Sequence, residues 1–192
     1  MKYRQLKESL KASSALVRRE IILDSMTSVF AAGQNCSQCQ GYCCTFEYNS
    51  MQVTPIEAFD CYDYLVENKL LTDQLERTIE DCVKHYRLDQ AIYLNHGREL
   101  RKNYTCPFYV PSAKGCRISP SSKPYGCLAF NPLMKAVNKP GNCSSNQNLL
   151  LNRDSQHQEE VDLNNQVKGQ LKLYWSKKNL PMAILEMINL FK

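Results

Sequence analysis

The sequence predicts a single, mainly α-helical domain whose long loops need fastening, with at most a small irregular β segment. Three observations lead there. Apolar residues recur at helical spacing at both ends of the chain and within residues 54–88; Pro, Gly, Ser and Asn crowd residues 104–146; and ten cysteines stand among 192 residues. With 43% hydrophobic residues at this length, one domain with a real core is expected, so disulfides are not needed to rescue it.

Taken in order, Leu6, Leu10, Val17, Ile21 and Phe30 follow roughly helical spacing and Gly33 comes after them as a stop, which predicts one long helix or two short ones. A knot of four cysteines, "NCSQCQGYCC", occupies residues 35–44. The β-branched and aromatic content of "TFEYNSMQVT" then suggests a short extended segment, at most a hairpin between Phe46 and Val53. Thr54, Pro55 and Glu57 spell a capping box with proline in the first turn, so a helix should run to about Asn68. A second helix is expected from Thr72 to about Leu88, with Leu75, Ile79, Cys82, Val83 and Tyr86 on one face. Cys61 and Cys82 fall on these helices among apolar neighbours and read as small core hydrophobes. Helical patterning returns in "EEVDLNNQVKGQLKLYW" and "PMAILEMINLF", with "NRDSQHQEE" as a polar connection. The chain thus divides into an N-terminal helical segment, 1–33, a cysteine-rich centre, 34–146, and a C-terminal helical extension, 147–192, expected to pack on it.

The first twenty residues have no uninterrupted apolar stretch, and no run of about 18 apolar residues occurs anywhere, so neither a signal peptide nor a membrane span is expected. A cytoplasmic chain is the consequence. There disulfides rarely persist, and clustered cysteines more often bind metal. The net charge of +5 hides an asymmetry: residues 47–90 carry ten acidic and four basic side chains, whereas Arg98, Arg101, Lys102, Lys114, Arg117 and Lys123 face only Glu99 in residues 98–125. With Tyr104, Phe108, Tyr109 and Tyr125 these cations could serve a nucleic acid, but no helix-turn-helix, finger or RNA-binding signature accompanies them. The simpler reading is that cations gather to offset thiolates.

Setting aside Cys61 and Cys82 leaves Cys36, Cys39, Cys43, Cys44, Cys106, Cys116, Cys127 and Cys143, which is two complete sets of four thiolates. Cys36 and Cys39 have the C-x2-C spacing at which a tight turn brings two thiolates to one metal. In an extended backbone Cys43 and Cys44 would point to opposite sides, so one should join Cys36 and Cys39 while the other faces a second site or the core. The later four are separated by nine, ten and fifteen intervening residues, and each sits beside a chain-bending residue in "CPF", "KGC", "YGC" and "PGNC". Glycine there lets the backbone approach closely and frees amides to bond a coordinated sulfur.

The series "CSQCQGYCC", "VTPIEAF", "CPF", "GCRI", "KPYGCLAF" and "PGNC" resembles the YkgJ-type cysteine-cluster family over about residues 34–146. The resemblance implies a zinc- or iron-chelating domain and marks Cys36, Cys39, Cys43, Cys44, Cys106, Cys116 and Cys127 as metal ligands, with Cys143 matching a more variable last cysteine. Where the family has arginine-proline before the seventh cysteine and an arginine after it, this chain has "KPYGCLAF", which keeps only the basic Lys123.

Zinc and an iron–sulfur cluster both remain open, though the bacterial ferredoxin spacing C-x2-C-x2-C-x3-C-P is not matched. His85, His96 and His157 read as exposed or locally bonded rather than as ligands. No nucleophile elbow, phosphate loop, dinucleotide fingerprint or H-E-x-x-H motif occurs, so an enzyme would have to work through the metal. The leading expectation is a structural metal in a module that binds another protein. An iron–sulfur redox or protein-modifying enzyme, by analogy with flagellin lysine methylases, and a metal-trafficking or storage role are the alternatives.

Overall fold

The computed structural model describes residues 3–31, 41–95, 99–111, 115–132, 143–154 and 157–192. Among them the chain is mainly helical: α1 (Tyr3–Ser9), α2 (Ala15–Ala31), α3 (Pro55–Glu67), α4 (Asp73–His85), a single turn α5 (Tyr125–Leu128), α6 (Gln147–Asp154), α7 (His157–Leu171) and α8 (Leu180–Phe191). The helix starts follow the caps. The Thr54 amide donates to the Glu57 carboxylate at 2.9 Å, and the Glu57 amide donates to the Thr54 hydroxyl at 3.4 Å, closing the capping box of α3. Thr72 opens α4 in the same way, its hydroxyl accepting from the Leu75 amide at 3.2 Å.

The main core lies where α8 packs against α3 and α4 while α7 covers the other side of α3. Leu6, Ile56, Leu65, Ile79, Val167 and Ile184 are fully buried there. Each such side chain contributes about 1.5–3 kcal/mol by leaving water, so this helical block carries the fold. Cys61 is buried in it and Cys82 in a smaller cluster with Val83, Leu88 and Tyr104, as their apolar surroundings predict.

Strands are short and serve as fasteners. Strand β1 (Gln52–Val53) pairs antiparallel with β6 (Lys178–Asn179), β2 (Tyr109–Val110) with β3 (Gly115–Cys116), and β4 (Phe130–Pro132) with β5 (Cys143–Ser145). The extended segment suggested for 45–54 is present only as β1, and no hairpin forms within 46–53. Residues 45–48 turn instead, and Val53 finds its partner beside the start of α8, where the Leu180 amide also donates to the Met51 carbonyl.

A second departure concerns the N-terminal helices. They are two, joined by a 3-10 turn at Lys11–Ser13, and Leu6 and Leu10 are buried as expected. Val17 and Ile21 are not; they face solvent together with Leu16, while Arg18 and Arg19 are fully buried. Arg18 pairs with Asp60 at 2.5 Å and Glu160 at 3.1 Å, and Arg19 pairs with Asp60 at 2.9 Å. Paired arginine is the exception to the exposure rule, and its partners stand 42 and 142 residues along the chain from Arg18, beyond the reach of local periodicity. Gly33 and the side chain of Phe30 lie outside the described residues.

Candidate functional site

The cysteine segments are brought together by backbone hydrogen bonds rather than by one element. Asn49 and Tyr104 exchange bonds at 2.9 Å through backbone and side-chain amides, and the Tyr104 hydroxyl donates to the Met51 carbonyl at 2.6 Å. This zipper continues to the Cys106 amide, which donates to the Cys44 carbonyl at 2.7 Å. Cys116 joins through β3, opposite Tyr109. Cys143 joins through β5, opposite Pro132.

Gly41 explains how the knot docks. Its φ is +74°, and a Cβ built there would stand 2.2 Å from the Tyr109 ring. Only glycine tolerates both the left-handed backbone and that approach. The 3-10 turn Tyr42–Cys44 follows directly from it.

The result is a cavity of about 480 Å³ walled by Cys43, Cys44, Cys106, Cys116, Cys127 and Cys143. None of the described cysteines is in a disulfide. The Cys43 and Cys44 sulfurs are 4.0 Å apart. The contact with Cys44 pushes the Cys43 thiol up, burial adding to it, and the contact with Cys106 does the same for Cys44. Cys127 is open to the cavity yet surrounded by dense protein, and burial raises its thiol well above the ordinary range, with Lys123 acting in the opposite direction. Left alone, these three thiols are protonated.

The loop that presents Cys127 is held from behind by buried groups. The Tyr125 amide donates to Glu57 at 2.9 Å, so the carboxylate that completes the α3 cap also anchors this loop. The Tyr125 hydroxyl donates to Glu160 at 2.8 Å, Arg19 Nε donates to the Lys123 carbonyl at 2.7 Å, and the Arg19 guanidinium lies 4.7 Å from the Tyr125 ring centre. Burial alone would lower the Arg18 pKa; Asp60 and then Glu160 more than reverse this and hold it above its usual value. The Cys61 thiol donates to the Ser122 carbonyl at 3.2 Å, and the Cys82 thiol donates to the Thr105 carbonyl at 3.4 Å. Cys82 therefore holds the residue before Cys106, and Cys61 holds the chain that leads into the Cys127 loop, roles their helical positions did not announce. Glu57, Gly41 and the arginine pair were likewise missed; the glycine in "QGYCC" was the one available signal.

Six of the eight expected ligands thus share one cavity, and Cys36 and Cys39 lie outside the described residues. Among the described residues no three His, Cys, Asp or Glu side chains converge closely enough to hold one ion. The opposed orientation expected of Cys43 and Cys44 is corrected: their backbone is a 3-10 turn, not extended, and brings the sulfurs together. His85 is exposed on α4 and does not line the cavity; His96 and the side chain of His157 lie outside the described residues. Tyr104, Phe108 and Tyr125 are buried, which removes them as platforms for stacking bases. No described helix is long and apolar enough to cross a membrane. Compared with family models, with curated proteins and with solved structures, the chain returned no match.

Proposed function

We propose that this chain is a cytosolic metal-binding cysteine-cluster protein, in which thiolates hold zinc or an iron–sulfur cluster and the metal ties the loop-rich centre to the helices. One observation supports the reading above others. Cysteines spread from residue 43 to residue 143 line a single cavity, although backbone hydrogen bonds and not disulfides assemble it. Thiolates are soft donors suited to zinc and to iron–sulfur clusters. One pair has the spacing the reading needs: the 4.0 Å between Cys43 and Cys44 sulfurs is close to the roughly 3.8 Å edge of a tetrahedron with 2.3 Å metal–sulfur bonds.

Zinc in four thiolates has no open position and would be structural, whereas a cluster would supply electron transfer. The chain's own residues do the rest. Gly41 and the zipper through Asn49 and Tyr104 set Cys44 beside Cys106, Glu57 and Arg19 hold the Cys127 loop, and Lys123 favours the charged form of Cys43 and Cys127. A bound cation displaces the thiol protons, so affinity falls as pH falls. The surface around the metal would then serve a protein partner. The space beside the thiols favours a second reading, an iron–sulfur redox or protein-modifying enzyme whose centre admits another molecule.

Anaerobic purification followed by metal analysis and a visible spectrum on one sample is the test. Stoichiometric zinc in a colourless protein supports the structural reading, and iron with sulfide in a brown protein supports the second. Replacing Cys44 and Cys106 by Ser should abolish metal retention, whereas Cys61→Ser should keep it. A wild-type protein with neither zinc nor iron sinks the proposal.

A further inference from the structure

The cavity is larger than its thiols require. An ion with sulfurs about 2.3 Å away needs a sphere of roughly 50 Å³, a tenth of the space present. A volume of about 480 Å³ falls instead within the range of sites that enclose small organic molecules.

The rest of the lining has a definite character. Its one carboxylate among the described residues, Glu57, is spent: one oxygen accepts from the Tyr125 amide and the other from the Thr54 amide and hydroxyl. Its cations are Arg101, Lys123 and Lys177. Lys123 acts on Cys43 and Cys127 and belongs with the thiols. No ion pair or hydrogen bond engages the side chain of Arg101 or Lys177 among the described residues. Both are solvent-accessible, and the same cavity is lined by Tyr48, Tyr109, Phe130 and Met51. Two cations with nothing to pair, beside aromatic and thioether surface, make a concave site with an oxyanion hold and an apolar floor.

We propose that this cavity binds a small organic oxyanion, a carboxylate or phosphate on a flat apolar body, with Arg101 and Lys177 pairing the anionic group and Tyr48, Tyr109, Phe130 and Met51 taking the body. The site goes beyond the metal reading and does not depend on it, since neither cation is a candidate ligand or adjacent to one. An arginine among the two gives the planar fork that matches carboxylate and phosphate oxygens.

The test is a titration of the full chain, as isolated, with benzoate and with phenyl phosphate, alongside the neutral benzyl alcohol, followed by calorimetry or ligand-observed NMR. Saturable binding of either anion below about 10 mM, at least about tenfold tighter than benzyl alcohol, is expected. The double substitution Arg101→Ala with Lys177→Ala should weaken it by about tenfold or more; both residues are exposed, so folding is not at stake. Binding of benzyl alcohol as tight as the anions, no saturation by either anion in that range, or an unchanged affinity in the double variant overturns the inference. Metal analysis on the same samples separates the two readings: the double variant should keep its metal content, and a metal-free wild type would remove the metal proposal while leaving the anion titration to be read on its own.

Discussion

Two polar clusters meet at the Cys127 loop, one sealed from water and one lining a cavity, and they solve the same problem in opposite ways. On one side Arg18, Arg19, Asp60 and Glu160 are sealed from water and balance two positive against two negative charges, with Tyr125 bonded to Glu160. On the other, six thiols line a cavity, burial and mutual contact push the Cys43, Cys44 and Cys127 thiols up, and among the described residues no unpaired carboxylate lines it. The first cluster balances its charges within the chain. The second is neutral only while protonated and becomes a strong donor set when a cation arrives, so its completion has to come from outside. Buried charge is tolerated when paired, and the same rule read in reverse singles out the cavity as the place where something binds.

The largest effect should come from breaking the charge-balanced cluster. Asp60→Ala leaves both guanidinium groups buried beside Glu160 alone, and a loss of about 3–5 kcal/mol is expected in urea unfolding. A loss below about 1 kcal/mol would mean that the arginines find water and that the contrast between the clusters is not real.

Next comes the docking of the knot. Gly41→Ala forces a side chain into a left-handed backbone and against the Tyr109 ring, for about 1–3 kcal/mol, and should reduce metal retention at the same time. Adding Tyr109→Ala should recover the part due to the clash and not the part due to φ. Equal stability of Gly41→Ala and wild type in thermal unfolding would show that the 3-10 turn is not held as described.

Metal removal sharpens the comparison locally. After chelation, hydrogen exchange should accelerate most at the amides of Cys106, Arg117 and Asn146, which join the cysteine segments to their neighbours, and much less in α3 and α8, whose core is mainly aliphatic and aromatic with Cys106 and Cys116 packed only against its edge. Uniform acceleration through α3 would mean that the two regions are one cooperative unit.

The smallest effect is a pH dependence. Burial pushes the Cys82 thiol from 9.0 up to about 12. The fold then keeps a proton that the unfolded chain releases above about pH 9, so this contribution is fully present below pH 9 and is lost as pH rises towards about 12. Cys82→Ala should flatten that part of the stability curve measured by chemical denaturation. An unchanged slope in the variant would place the titration elsewhere.

Much of the helical block was legible because its signals are local. Thr54 and Glu57 are three residues apart, Leu75, Ile79 and Val83 repeat at helical spacing, and each pattern needs only its own segment to act. Val17 and Ile21 misled for the complementary reason: they have the right spacing, but the burial of α2 was decided by carboxylates on α3 and α7. At the site, chemistry was legible and placement was not. Residue type distinguished Cys61 and Cys82 from the cysteines that line the cavity, because the former sit in apolar helical patterns and the latter in turns.

By itself, then, the sequence determined the mainly helical class, the helix starts at Thr54 and Thr72, and a cysteine set that includes the six lining the cavity, since caps, periodicity and turn residues are properties of short stretches. Only the tertiary structure decided that β1 pairs with β6, that Arg18 and Arg19 are buried as ion pairs, that Cys43 and Cys44 point together, and that cysteines a hundred positions apart wall one cavity. Each of these depends on hydrogen bonds or charges between segments far apart in the chain. Such partners act only after the intervening residues have folded, and no local pattern encodes them.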